Sequence, residues 1–265
     1  MPSNPFDLSQ RVALVTGGNK GIGKGIALAL AAAGARVHLT GRDEAAGTAS
    51  VSEIQASGGR AEFHAADIND DAAMEAIFNT SAETALQLGS DNPRIDILVN
   101  NAGISKVDGP PEHLSDENWN AVLDTNLNSV FKCSRAVHPF MTSDPANTGG
   151  KIINIGSMYS LFGTPHIPNY AASKGAIVQL TKSLATAWAH NNIQVNCILP
   201  GWISTDLTKA VEADAEFTAD IMKRTPAKRF GTPEDLGGTA VFLASSATGF
   251  LTGQSISVCG GYSIA

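Results

Sequence analysis

Ser157, Tyr170 and Lys174 are three side chains that could share one reaction, because they lie within a single short stretch of the sequence. If the chain is helical from about Asn169 onward, Tyr170 and Lys174 project from the same helix face, one turn apart. A tyrosine ordinarily has a pKa of about 10, and a nearby ammonium group favours its phenolate form. We therefore predict that Lys174 lowers the pKa of Tyr170, which makes the phenol a usable general acid or base.

The composition limits the kinds of partner this chain can have. Its 265 residues, 43% of them hydrophobic, fit one α/β domain with a substantial core. The net charge of −7 argues against a nucleic-acid partner, since neutralising phosphates requires a basic face. The three cysteines are far apart and have no histidine at ligand spacing, so we expect neither disulfides nor a metal site.

The sequence also suggests where the protein resides. Its first residues, MPSNPFDLSQ, lack a basic patch followed by an apolar run. No apolar run reaches the roughly 18 residues that a membrane span requires. We expect a cytoplasmic protein with no membrane partner.

Short apolar runs alternate with longer helical segments along the chain, as in a sheet with helical crossovers. The predicted strands are Val12–Thr16, Arg36–Thr40, Ala61–Ala65, Ile95–Val99, Lys151–Ile155, Ile193–Leu199 and Ser255–Val258. Strands that are apolar almost throughout indicate a parallel sheet covered on both faces. The predicted fold class is α/β, a doubly wound (Rossmann) seven-stranded parallel sheet in a single domain, residues 1–265.

Three other segments carry specific expectations. A long helix is predicted from Ser115 to about Met141, with Pro139 kinking or fraying its end. Asp144–Gly150 is polar and predicts a loop. The charged, weakly periodic segment Thr205–Thr225 predicts a mobile helical flap within a substrate loop at about 202–228.

A glycine-rich turn, Gly17–Gly23, joins the first predicted strand to the first predicted helix. Its glycines at 17, 21 and 23 permit a tight turn, close approach of the backbone to a pyrophosphate, and packing of the helix against the sheet. Glycines occur in many such turns, so the motif alone is weak evidence. The preceding strand and following helix strengthen the prediction of a dinucleotide site.

The end of the second predicted strand distinguishes between the two nicotinamide cofactors. An acid there would bind the ribose hydroxyl of NAD, whereas a basic residue accommodates the extra phosphate of NADP. Arg42 follows the strand directly, and Lys20 is available from the glycine turn. The alternative takes Asp43 as the ribose ligand, but Asp43 is well placed to cap the next helix. We therefore favour NADP(H).

Together these motifs make the sequence resemble the short-chain dehydrogenase/reductase family over nearly its whole length. The matching residues, in order, are Thr16–Gly23, Asp67, Asn100–Gly103, Asn126, Ser157, Tyr170, Lys174, Pro200, Gly201 and Thr205. The resemblance implies that hydride passes from a nicotinamide to a carbonyl carbon while Tyr170 protonates the oxygen. Ser157 would hydrogen-bond that oxygen, and Lys174 would hold the ribose.

The resemblance also implies roles around this centre. Asn126 would anchor a water molecule in a proton relay, although it could instead be a buried amide bonded to backbone. Asp67 would bind the adenine, and Ile203 and Thr205 the nicotinamide side. The implied cofactor residues are Gly17, Asn19, Lys20, Gly21, Ile22, Gly23, Arg42, Asp67, Ile68, Asn101, Ala102, Gly103, Tyr170, Lys174, Pro200, Gly201, Ile203 and Thr205.

The predicted substrate pocket is partly apolar, which favours a small-molecule ketone or aldehyde that is reduced to an alcohol with NADPH. Its predicted residues are Met158, Tyr159, Phe162 and Trp202, although the same residues could equally pack against the flap. From Tyr170 onward, however, the chain is most similar to gluconate 5-dehydrogenase and related sugar-acid or polyol members. A sugar acid would need cationic partners, for which Lys209, Lys223 and Arg224 are available. A non-catalytic NADPH-binding regulator is the third alternative, and the intact catalytic set argues against it.

Two predicted helices, one through Phe131 and one through Trp188, are apolar on more than one face. The resemblance implies that such faces are covered in a homotetramer, together with the C-terminal strand. We therefore expect a homotetramer.

Overall fold

Helices and strands alternate as the apolar runs predict in a computed structural model that describes residues 4–143 and 149–265. The strands are β1 (Val12–Val15), β2 (Arg36–Gly41), β3 (Arg60–Ala65), β4 (Ile97–Asn100), β5 (Gly150–Ile155), β6 (Ile193–Pro200) and β7 (Ser255–Val258). The helices are α1 (Gly21–Ala32), α2 (Glu44–Ala56), α3 (Asp71–Gln87), α4 (Asp116–Leu123), α5 (Ser129–Thr142), α6 (Pro168–Trp188), α7 (Lys209–Glu212), α8 (Ala215–Arg224) and α9 (Gly237–Ala244).

All seven strands join one parallel sheet in the order β3-β2-β1-β4-β5-β6-β7. One face packs on α1 and α9 through residues such as Leu30 and Leu243, and the opposite face packs on α3, α5 and α6 through Phe78, Val137 and Leu184. Because both faces are covered, β1, β4 and β6 are buried along their whole length. The predicted doubly wound fold is confirmed.

The strand order determines where a ligand-binding crevice opens along the sheet. From β1 the chain moves outward to β2 and β3, and it then returns to add β4 on the other side of β1. The loops that leave β1 and β4 therefore diverge and open a crevice at the carboxyl ends of the strands, where ligands of such sheets bind.

The predicted long helix is in fact two α-helices joined by a π-helical turn, Asp124–Asn128. The Ser129 amide donates to the Asp124 carbonyl, five residues back, which is the π pattern. Pro139 lies inside α5, which continues to Thr142. The predicted loop at 144–150 falls mainly on 144–148, outside the described residues, and Gly150 already belongs to β5.

The predicted flap contains two helices, α7 and α8. The Asp214 side chain caps α8 by accepting hydrogen bonds from the amides of Glu216 and Phe217. None of the helices in the described part of the chain is long and apolar enough to cross a membrane. The mobility of the flap remains a prediction.

Candidate active site

A cleft of about 850 Å³ opens at the carboxyl ends of the strands, and the loops that follow β1 to β6 all contribute to its walls. The glycine turn and Arg42 line one end. Ser157, Tyr170 and Lys174 line the other. The sheet thereby brings together residues that are more than a hundred positions apart in the sequence.

The glycine turn has the backbone conformation that its sequence predicts. Gly17 has a φ of 61°, in the left-handed region that glycine adopts readily. The Asn101 side-chain amide donates to the carbonyls of Thr16 (3.0 Å) and Gly17 (2.9 Å), which fixes the turn against the loop after β4. A Cβ at Gly23 would collide with the Gly17 carbonyl, so Gly23 serves close helix packing and does not line the cleft. This cradle fits a pyrophosphate.

Two exposed cations stand at this end of the cleft. Lys20 lies 3.3 Å from Asp206, and Arg42 lies 3.8 Å from Asp67. The side chain of Arg42 is 72% exposed, so its planar fork is accessible to an anionic ligand. Asp43 accepts from the Ala46 amide at 3.0 Å and caps α2, as predicted.

The local structure brings the side chains of Ser157, Tyr170 and Lys174 close together. Ser157 follows β5 and caps a short turn, Met158–Ser160, by accepting from the Tyr159 amide at 3.2 Å. The Ser160 hydroxyl donates to the Lys174 carbonyl at 2.6 Å, which ties this turn to α6. In α6 the Lys174 ammonium lies 5.7 Å from the centre of the Tyr170 ring, and the Ser157 hydroxyl hydrogen-bonds Tyr170.

The electrostatics of this centre differ from the prediction. Burial raises the pKa of Tyr170 to about 12, and the hydrogen bond from Ser157 offsets only part of the shift. Burial lowers the pKa of Lys174 to about 8, and its Nζ donates to the Ile155 carbonyl at 2.8 Å. The predicted net lowering of the Tyr170 pKa is therefore wrong for this structure, because burial of the phenol dominates. Tyr170 is protonated at neutral pH and suited to donate a proton.

Asn126 is fully buried in the π-helical turn and does not line the cleft. Its Oδ1 accepts from the Ile104 amide at 2.8 Å, and its Nδ2 donates to the Ile104 carbonyl at 2.9 Å and to Ser173 at 3.2 Å. These contacts agree with the alternative interpretation of Asn126, in which it is a buried amide bonded to the backbone. Its role in a proton relay stays a prediction.

The substrate end of the cleft has an aromatic wall. Tyr159 packs edge-on against Tyr170 and Trp202, and Trp202 packs edge-on against Phe217, with ring centres 5.8 to 6.3 Å apart. Met158, Tyr159 and Trp202 line the cleft as predicted. Phe162 lies outside the lining, because its ring packs against Arg224 and Tyr262, and its role in substrate binding stays a prediction.

Several lining residues were not singled out from the sequence, among them His166, Phe217 and Tyr262. Tyr262 follows β7, so the predicted topology could have placed it at the same edge of the sheet as the catalytic residues. Phe217 lies in the predicted flap, where only charged residues were considered.

The three cations considered as partners for a sugar acid do not line the catalytic cleft. Lys223 pairs with Asp220 at 2.7 Å in solvent, Lys209 lines a separate shallow pocket, and Arg224 lies between two aromatic rings. Among the described residues, the lysines and arginines that line the catalytic cleft are Lys20, Arg42 and Lys174.

A histidine pair, with His38 buried and His64 half-buried, lies away from the cleft between β2, β3 and α3. His38 shares a hydrogen bond with His64 at 3.0 Å and another with Thr84 at 3.0 Å, and Glu62 lies beside both rings. Burial lowers the pKa of His38 to about 4, so this ring is neutral at neutral pH. The hydrogen bonds to His64 and Thr84 engage both ring nitrogens of the buried His38.

Comparison with known proteins agrees with this geometry. A family model described as enoyl-(acyl carrier protein) reductase matches residues 17–263. The chain is 44% identical to the 2-dehydro-3-deoxy-D-gluconate 5-dehydrogenase of Bacillus subtilis, over 97% of this chain and 96% of that one. It is 40% identical to the gluconate 5-dehydrogenase of Gluconobacter oxydans, over 98% of this chain and 97% of that one.

A solved gluconate 5-dehydrogenase from Burkholderia cenocepacia, in complex with NADP and tartrate, superimposes with a TM-score of 0.87. Its sequence is 38% identical, and the match covers 98% of each chain. The site geometry and these similarities lead to one conclusion: the chain belongs to the short-chain dehydrogenase/reductase family of oxidoreductases.

Proposed function

We propose that this protein is an NADP(H)-dependent oxidoreductase that reversibly reduces a ketone or aldehyde to an alcohol. The observation that carries the proposal is the meeting of Ser157, Tyr170 and Lys174 in one cleft with the glycine turn. A binding protein without catalysis would not need a proton donor at this position.

Each side chain has a defined task in the proposed reaction. NADPH, when bound, supplies the hydride that the carbonyl carbon accepts. Tyr170 donates its phenolic proton to the carbonyl oxygen, and Ser157 donates a hydrogen bond that stabilises the charge developing there. Lys174, held by the Ile155 carbonyl, keeps a positive charge beneath Tyr170 and favours its phenolate after the proton has left. The reverse sequence oxidises an alcohol.

The preference for NADP over NAD rests on Lys20 and Arg42, which offer two positive charges at the ribose end. The Burkholderia relative was crystallised with NADP, which agrees with this preference. Asp43 uses its Oδ1 to cap α2, which favours Arg42 over Asp43 as the residue that selects the cofactor.

Two substrate classes remain in the proposal. The aromatic wall favours a carbonyl compound with an apolar substituent, because an anionic substituent would be desolvated beside the rings of Trp202 and Phe217. The relatives at 44% and 40% identity favour a hydroxy acid of the gluconate type instead. In that case, His166 and the hydroxyls of the cleft would bind the acid.

NADPH oxidation, followed by absorbance, tests both classes. Acetophenone, ethyl acetoacetate and a keto-gluconate are offered separately, and gluconate with NADP⁺ tests the reverse direction. Turnover of any of them that Tyr170→Phe abolishes supports the proposal. Lack of turnover across the panel, or equal efficiency with NADH, contradicts it.

For assembly and location we propose a cytoplasmic homotetramer. Phe131 on α5 is 43% exposed and Trp119 on α4 is 36% exposed, which leaves apolar surface for a partner copy to cover. The thiols of Cys133, Cys197 and Cys259 are unpaired, as expected in a reducing compartment. Light scattering in solution tests the tetramer, because a monomer would contradict it, and fractionation of the source cells tests the location.

A further inference from the structure

Arg224, the last residue of α8, has surroundings that the proposed reaction does not explain. Its guanidinium carbon lies 4.3 Å from the ring centres of both Phe162 and Tyr262. Its Nε is buried without a hydrogen-bond partner in the described structure. The two aromatic faces therefore provide the main attraction for this charged group.

The three residues belong to three different segments around the substrate end of the cleft. Phe162 lies in the loop between Ser157 and Tyr170, Arg224 ends the second flap helix, and Tyr262 lies in the C-terminal turn after β7. Tyr262 lines the cleft, and so does Phe217 from the same helix as Arg224. A group that holds these segments together thus sets the shape of the substrate chamber.

Backbone contacts next to Arg224 join the same segments. The Ala227 amide donates to the Gly260 carbonyl at 3.0 Å. Gly261 has a φ of 88°, and a Cβ there would lie 2.7 Å from Pro226. The C-terminal turn therefore fits closely against the residues that follow α8.

We infer that Arg224 is a positioning residue for substrate: it clamps the C-terminal turn and the loop after Ser157 to the flap, and so fixes the substrate end of the cleft. Arg224 itself does not line the cleft, whereas the proposed cofactor residues Lys20 and Arg42 do. This inference rests on the proposed function only for its effect on substrate binding.

Hydrogen exchange tests the clamp without any substrate. Arg224→Met keeps the length of the side chain but removes its charge and planar group. The amides of Ala227 and Tyr262, which donate to Gly260 and Cys259, should exchange at least about tenfold faster in this variant. Lys223→Met, which removes the neighbouring, solvent-exposed cation, should leave both rates unchanged. Unchanged exchange in Arg224→Met would overturn the inference.

Kinetics with the best substrate of the panel test the consequence. Arg224→Met should raise the KM for the carbonyl substrate about tenfold, with kcat within about threefold and the NADPH Kd within about twofold. Arg224→Lys, which can still contact the rings as a cation, should restore part of the loss. A fall in kcat at unchanged KM, or an equal loss of NADPH affinity, would contradict a positioning role.

If Arg224→Met does not fold, Tyr262→Leu replaces it, because it removes one face of the clamp and should speed exchange at Ala227. If no panel compound is turned over, the proposed function fails, while the exchange rates still decide whether the clamp exists.

Discussion

The side-chain amide of Asn126 pairs with both backbone groups of Ile104, accepting from its amide at 2.8 Å and donating to its carbonyl at 2.9 Å. This two-bond contact joins the π-helical turn to the loop after β4, which lines the cleft. Asn126 does not line the cleft itself, but it fixes the position of a loop that does.

Replacing Asn126 tests that role. Asn126→Leu would leave the half-buried Ile104 amide and carbonyl without these side-chain partners, at a cost of about 1–2 kcal/mol. We expect a matching loss in the free energy of unfolding, measured in urea, and at least a tenfold loss of turnover. The control is Asn128→Leu in the same turn, where the side chain bonds only the exposed Asp124. Equal effects of the two changes would refute the role.

Removing the Tyr170 hydroxyl should stop the reaction while leaving the fold intact. We expect Tyr170→Phe to lower kcat by at least about 10³-fold, since the change removes the hydroxyl that donates the proton. NADPH binding, measured by fluorescence titration, should change little. Tyr159→Phe, which alters a neighbouring cleft tyrosine, is the control and should keep most of the turnover. Wild-type turnover in Tyr170→Phe would exclude the mechanism.

The pH dependence of ketone reduction should follow the protonation state of Lys174. Its pKa is lowered by burial to about 8, so its ammonium form is lost as the pH rises through 8, while Tyr170 keeps its proton up to about 12. We expect kcat/KM for reduction to be level below pH 8 and to fall about tenfold per unit above it. The residual activity of Lys174→Arg, which stays charged, should show no such break. A profile that is level to pH 10 in the wild type would contradict the assignment.

Reversing the charge at Arg42 should change cofactor preference. Arg42→Asp is expected to lower the ratio of NADPH to NADH efficiency by at least about 100-fold, because one of two phosphate-binding cations becomes a repelling acid. Lys223→Ala removes an exposed cation that is paired with Asp220 on α8, and should leave the ratio unchanged. An unchanged ratio in Arg42→Asp would rule out Arg42 as a phosphate ligand.

The buried His38 should make stability sensitive to acid. Its pKa is about 4 in the folded protein and about 6.5 in an unfolded chain, so above pH 6.5 both states are neutral. As the pH falls from 6.5 to 4, the unfolded state takes up the proton first, which costs up to about 3 kcal/mol of stability. The groups facing it are His64, Glu62 and Arg36. Urea unfolding at several pH values should show a smaller loss in His38→Asn, and an equal loss would refute the prediction.

Local patterns were sufficient to predict the fold and much of the site. The period of the apolar residues determines strand and helix, and the glycine turn and the spacing from Tyr170 to Lys174 are local, so β1–α1 and α6 follow from short segments alone. Even the cap by Asp43 could be predicted, because its partner is three residues away. The π-helical turn was missed, since it adds one residue to a helix whose apolar pattern runs through it unbroken.

The tertiary structure decided what depends on distant neighbours. The pKa of Tyr170 follows from its burial in the folded chain. Phe162 packs against Arg224 and Tyr262, because these segments meet only in the folded chain. The sequence determined which side chains are available for chemistry. Folding decided their solvation and orientation, because both are set by contacts between residues that are far apart in the chain.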